Sequence, residues 1–259
     1  MQTETNEEQQ EASTVLAERS VSMSNSLARA AQGLNLYEKR LIALGLVKVD
    51  SYSAKAAALK RAGWTLLVTA KDYANEYGLS PSAAYLQMKE GSEKLWQRDI
   101  RFSVAGNRGP IDRKYRWVTR ADYASGDGYV ELEFHRDVAE HLLGLRKHFT
   151  TYKLRHVARL DTAYQWRLFE CLRSWADTGA WRPTIFEFWE AMEVPEAYRK
   201  DFKALRVRVI EPAVAALRER VPMDIEWKAV RLGGRKVSSL EFSFSPEMQP
   251  SLFGHDGEA

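Results

Sequence analysis

Residues 184–220, TIFEFWEAMEVPEAYRKDFKALRVRVIEPAVAALRER, decide the fold. An aromatic-rich helix is expected over IFEFWEAM, and Val194-Pro195 ends it, because proline lacks the N–H that a continuing helix needs. A second, longer helix is expected from near Glu196 to about Arg220. Phe202, Leu205, Val209, Ala213 and Ala216 recur there at i, i+3/i+4 spacing and make one apolar stripe. Pro212 is expected to kink it after its first few turns. Beyond it, Met223, Ile225 and Trp227 alternate on one side of Gly233-Gly234, and Leu240, Phe242 and Phe244 on the other. That is a β-hairpin, ended by Pro246.

The same order occurs earlier in the chain. WTLLVT (64–69) is β-prone, and AKDYANEYG reads as a helix closed by Gly78. Ser80-Pro81 then opens a helix to about Arg98, with serine as N-cap and proline at its first position. Tyr115, Trp117 and Thr119 alternate towards a turn at 125–128, and Val130, Leu132 and Phe134 return from it. TAKDYANEYGLSPSAAY (69–85) and TIFEFWEAMEVPEAY (184–198) thus share an aromatic helix, a proline-bearing turn and a tyrosine early in the next helix. Helix, turn, helix and β-wing make a winged helix. The fold class is α+β, mainly helical, with two tandem winged-helix domains.

Asn35 with Glu38 is a capping-box start before Tyr37, Leu41 and Leu44, and 48–63 reads as a connection or short helix. One long helical stretch is expected through LRHVARLDTAYQWRLFECLRSWAD (154–177), with Thr150 or Thr151 as N-cap and Gly179 as its stop. The expected domains are 21–136 and 137–246, between a disordered tail over 1–20 and a flexible tail over 247–259.

The 259 residues, 45% hydrophobic and 28% charged, suit a globular protein with a real core. No apolar run of membrane-spanning length occurs, so no membrane partner is expected. The N-terminus has no secretory pattern, and the one cysteine, Cys171, reads as a core residue of a protein in a reducing cytoplasm. Net charge is only +3, but residues 1–18 carry acidic charge alone, so the remainder is more basic.

Arg199, Lys203 and Arg206 follow helical spacing beside the apolar stripe, flanked by Lys200 and Arg208. The second helix of a helix–turn–helix lays its first residues on base edges, where arginine can bond guanine through two N–H groups. A solvated basic face is the plain alternative. The wing adds Arg231, Arg235 and Lys236, suited to phosphates or a minor groove, or simply to solvent. Lys153 and Arg155 lie where a helix start could hold a phosphate. Helix 81–98 offers Ser82, Tyr85 and Lys89, with lower basic density, so that domain is expected to bind DNA more weakly or to pair subunits.

Enzyme chemistry is not expected. There is no GxxxxGK[ST] phosphate loop and no HxH metal pair, and no cofactor or metal is called for. His141, His148 and His156 lack tight ligand spacing and are expected to face solvent or phosphate.

Three stretches resemble the iteron-binding replication initiators of theta-replicating plasmids: SNSLARAAQGLNLYEKRLI (24–42), HFTTYKLRHVARLDTAYQWRLFECLRSW (148–175) and YRKDFKALRVRVIEPAVAAL (198–217). Phe169 stands where that family commonly has tyrosine. The resemblance implies monomers that bind origin direct repeats through both domains, open the DNA and load the replicative helicase. It also implies dimers, paired through the N-terminal domain, that repress the initiator's own gene, with chaperones shifting the balance. Arg199, Lys200, Lys203 and Arg206 carry over as the main reading set, and Lys89 less securely. The competing reading is a chromosomal transcription regulator with tandem winged helices. Gln249-Pro250-Ser251-Leu252-Phe253 resembles the bacterial sliding-clamp-binding peptide, with Leu252 and Phe253 as pocket fillers and Gln249 as orienter, although Pro250 replaces the usual leucine.

Overall fold

The structure, a computed structural model, describes residues 16–48, 64–142, 149–221, 223–234 and 236–245. Strand β1 (Ser20–Ser24) leads into α1 (Asn25–Arg29) and α2 (Leu36–Val47). The expected capping box opens α2: Asn35 accepts the Glu38 N–H, and Glu38 accepts the Asn35 N–H. Next come β2 (Thr65–Thr69), α3 (Ala70–Tyr77) and α4 (Pro81–Leu95). Gly78 closes α3 at φ 62°, and Ser80 caps α4 with Pro81 in its first turn, as the sequence predicts. β5 (Val118–Ala124) and β6 (Tyr129–Phe134) complete an antiparallel sheet in the order β2-β6-β5. Leu66, Val68, Val130, Leu132 and Phe134 turn its buried side to the core.

A further hairpin stands between α4 and β5: β3 (Asp99–Gly106) with β4 (Gly109–Arg116). It changes the expected strand through Tyr115, Trp117 and Thr119. Tyr115 belongs to β4, Thr119 to β5, and Trp117 lies between them, buried, donating its indole N–H to the Gln32 carbonyl at 2.8 Å. Alternation continued across that corner, so periodicity alone could not show the break.

After α5 (Arg136–Leu142), Thr150 and Thr151 fall within a strand, β7 (Phe149–Lys153), and not at a helix start. β7 pairs with β1, Val21 opposite Tyr152, and Thr150 donates its hydroxyl to Asn25 Oδ1 at 2.7 Å. The single helix expected over 154–177 is two, α6 (Leu154–Ala158) and α7 (Ala163–Arg173), with Thr162 as N-cap of the second. The β1–β7 pairing holds residues 149–173 in the first unit. The pairing crosses the boundary expected at 136/137, which moves to the stretch between α7 and Thr184. Of the tail expected over 1–20, residues 1–15 lie outside the described residues and Ser20 opens β1; the tail over 247–259 lies outside them entirely.

The second unit contains β8 (Ala180–Trp181), α8 (Ile185–Ala191), α9 (Glu196–Arg199), α10 (Phe202–Leu205), a π-helical turn (Arg206–Ile210), α11 (Glu211–Arg220), β9 (Asp224–Val230) and β10 (Ser239–Ser245). Its sheet runs β8-β10-β9, with Trp227 opposite Phe242 and Ile225 opposite Phe244. Trp181, Phe188 and Phe242 fill its centre, ring centroids 5.5–5.9 Å apart.

The long helix expected from Glu196 is broken. The chain leaves helix after Arg199, and Asp201 caps a new start by accepting the Lys203 N–H. From Phe202 the helix is continuous to Arg220. Pro212 offers no N–H, and just before it the Glu211 N–H bonds the Arg206 carbonyl five residues back. Beside the proline where a kink is expected, the structure has this wider turn.

Candidate nucleic-acid interface

The helix from Phe202 to Arg220 divides cleanly into two faces. Leu205, Val209, Ile210, Ala213, Val214 and Leu217 are buried, whereas Lys203, Arg206, Val207 and Arg208 are exposed. Arg206 stands 3.4 Å from Glu211, both half in solvent, a weak exposed pair. The Arg208 guanidinium lies 5.7 Å from the Tyr198 ring centre. These three cations lie on one exposed stretch after the turn from α8, with Arg206 and Arg208 in the π-helical turn.

Arg199 is differently placed. Its Nε donates to the Val194 carbonyl at 2.8 Å, and a terminal nitrogen reaches Glu190 at 2.8 Å. The guanidinium also lies 5.9 Å from the Trp189 ring centre. Arg199 therefore braces the turn between α8 and α10, and the break at Asp201 takes it off the face of Lys203 and Arg206. Lys200 is exposed in that break, 3.3 Å from Glu196.

The wing between β9 and β10 exposes Arg231, Leu232 and Lys236, and Gly233 adopts φ 70°. Arg235 lies outside the described residues, as do Gln249, Leu252 and Phe253 of the tail. On the first unit, Ser82, Tyr85 and Lys89 share an exposed face of α4. A Cβ on Gly128 would stand 2.7 Å from the Tyr85 hydroxyl, so α4 meets the 125–128 turn there. Lys153 is half-buried at the end of β7, and exposed Arg155 pairs with Glu18; both belong to the first unit.

Of His141, His148 and His156, two pack against neighbouring side chains. His141 stacks on Phe102 with centroids 4.8 Å apart and shares a 2.8 Å hydrogen bond with Ser24 Oγ; burial lowers its pKa. His156 is half-buried in an edge-to-face contact with Phe169, and His148 lies outside the described residues. Cys171 is buried, its thiol pushed up by desolvation, in keeping with a core residue. Among the described residues no helix is long and apolar enough to cross a membrane.

The chain is similar to known proteins over most of its length. A PI protein of Escherichia coli is 24% identical over 265 residues, covering 91% of this chain and 85% of that one. An uncharacterized 27.6 kDa protein of Escherichia coli is 29% identical over 210 residues, covering 78% and 86%. Among solved structures, the Pi initiator protein in complex with iteron DNA has the same fold, with a TM-score of 0.71 at 22% identity over 88% of this chain and 97% of that chain. The model of the first winged helix of initiator replication proteins matches residues 20–173, and that of the second matches 184–244. The first match runs from β1 to the end of α7, and the second covers the second unit from Thr184, leaving out β8. The chain belongs to the initiator replication protein family, with its two winged-helix domains in tandem.

Proposed function

We propose that this initiator starts plasmid replication by binding the direct repeats of an origin as a monomer, with the second winged helix as the main reader. The observation that carries this reading is the exposed set Lys203, Arg206 and Arg208 on a helix–turn–helix. The fold is also that of an initiator crystallised on iteron DNA. Arginine and lysine on such a helix bond guanine edges or phosphates, and Arg231 and Lys236 on the wing suit the backbone beside it. Ser82, Tyr85 and Lys89 supply an auxiliary contact from the first domain. That domain also pairs two copies when the protein represses its own gene from an inverted repeat.

The replicative helicase, chaperones and the sliding clamp complete the partners, all in the bacterial cytoplasm. The clamp would take Gln249, Leu252 and Phe253, and a chain truncated after Met248 should no longer retain it in a pull-down.

The test of the main reading is a titration of the purified protein on origin-repeat and unrelated duplexes across salt. A binder with six or more phosphate contacts loses roughly a thousandfold in affinity between about 50 and 200 mM salt. Preference for the repeat, with that salt dependence, is the expected result. Equal affinity for both duplexes, unaffected by Lys203→Ala and Arg206→Ala, would overturn it.

A further inference from the structure

The hairpin of β3 and β4 carries a concentration of charge that the reading above does not use. Residues 99–116 hold five cations and two acids, a surplus equal to the +3 of the whole chain. Residues directly opposite each other on two strands share a face. On one face Ile100 is buried and Phe102 stacks on His141, which seats the hairpin on the first domain. The other face carries Asp99 opposite Arg116, Arg101 opposite Lys114 and, towards the turn, Asp112 opposite Ser103.

Arg101 and Lys114 are both exposed, and among the described residues neither has an acid within 4 Å. Like charges placed directly across a ladder destabilise it. A ribbon that keeps such a pair open to solvent is suited to an anionic partner.

Its location favours DNA as that partner. The Arg101 N–H donates to the Ala31 carbonyl at 3.2 Å, and two residues on, the Gly33 N–H donates to the Glu193 carboxylate at 2.6 Å. Glu193 lies in the turn that leads from α8 to the basic helix of the second domain. The base of the ribbon and that turn are therefore joined through one short loop. Eight residues per strand extend about 26 Å, at roughly 3.3 Å per residue, long enough to follow a duplex backbone. A second copy of the chain is the other candidate partner, but two identical basic faces repel when paired by a two-fold axis.

We propose that the outward face of the β3–β4 ribbon, through Arg101, Lys114 and Arg116, grips the phosphate backbone of the duplex held by the second winged helix. This inference rests on the reading that the chain binds duplex DNA. It adds a sequence-independent contact from the first domain, distinct from the face of α4.

The test compares wild type with Arg101→Gln/Lys114→Gln, plotting log affinity against log salt on the origin repeat and on an unrelated duplex. The slope should become shallower by about 0.9 for each phosphate no longer neutralised, hence about 1.8 for the pair, on both duplexes alike. The ratio of specific to non-specific affinity should stay the same. Lys114→Glu, which places an acid opposite Arg101, should also flatten the slope while the protein melts no earlier than wild type, separating a weakened grip on phosphate from a damaged fold. An unchanged slope, with Lys203→Ala still weakening specific binding, overturns the ribbon's role alone. A change confined to dimer formation in sedimentation also overturns it, in favour of a self-interface. If Lys203→Ala and Arg206→Ala leave specific binding intact, it is the underlying function reading that fails.

Discussion

Lys39 Nζ meets a Glu170 carboxylate oxygen at 2.8 Å, and both side chains are only 2% exposed. Arg167 reaches the same oxygen at 3.1 Å, Tyr152 donates its hydroxyl to the other at 3.1 Å, and Lys39 also donates to Gln32 Oε1 at 2.7 Å. Arg167 further donates to the carbonyls of Ala28, Ala30 and Ala191. Ala191 belongs to α8, so this buried network ties α2 and α7 of the first domain to the helix–turn–helix of the second.

Removing one member should strand a buried charge. Lys39→Met or Glu170→Gln is expected to cost about 3–5 kcal/mol in urea unfolding, and the double variant less than the two together. Burial pushes the Glu170 carboxyl up, but Lys39 and Arg167 outweigh it and hold the group below its usual 4.5. Its contribution is thus full above about pH 4.5 and is lost as the pH falls through the folded value. Glu170→Gln should flatten the acid limb of the stability profile; an acid limb identical to wild type would refute this assignment.

Glu76 behaves in the opposite sense. It is half-buried on α3, its Oε2 has no hydrogen-bond partner among the described residues, and desolvation lifts its carboxyl to about 7. The folded chain therefore holds this proton more tightly than the unfolded one, and stability falls as the pH rises from 4.5 to 7. Glu76→Gln should remove that fall. Discounted for partial exposure, the gain at pH 8 is about 1 kcal/mol, read as a higher melting temperature at pH 8 with little change at pH 4.5.

Gly33 joins the ribbon to the second domain at φ 67°, and a Cβ built there would stand 3.3 Å from the Asp99 carbonyl oxygen. Gly33→Ala should cost about 1–2 kcal/mol from the left-handed backbone alone. The added methyl also presses on the base of β3. Hydrogen exchange at the Arg101 amide should then quicken more than at the buried sheet; uniform exchange across both would count against a local effect.

Much of this fold is legible where punctuation is strong. Asn35 with Glu38, Gly78 and Ser80-Pro81 each satisfy backbone groups by a mechanism carried in one or a few side chains. The ribbon and β7 are harder to see. The ribbon's second strand, β4, is largely polar and exposed, so it shows little apolar alternation. By contrast β7 is short, its partner β1 is distant in sequence, and Thr150 can equally cap a helix or sit in a strand. For the candidate interface, Arg199 fits helical spacing to Lys203 as well as Arg206 does. Its bonds to Glu190 and Val194 run across a turn, and only the fold reveals them. The one local cue was Asp201, a good N-cap residue two positions after Arg199.

That distinction gives separate expectations for the three cations. Lys203→Ala and Arg206→Ala should weaken binding to the origin repeat without lowering the melting temperature. A position that reads a base should lose about 1–3 kcal/mol of discrimination there, and one that holds a phosphate should lose affinity equally on every sequence. Arg199→Ala should instead lower the melting temperature, because it frees the Val194 carbonyl and leaves Glu190 unpaired. Its effect on DNA should follow from a loosened turn, with affinity reduced while base preferences stay those of wild type. Gel-shift titration on a panel of single-base variants of the repeat distinguishes the two roles. If Arg199→Ala relaxes preference at one base and leaves melting unchanged, Arg199 swings out to read DNA and does not brace the turn.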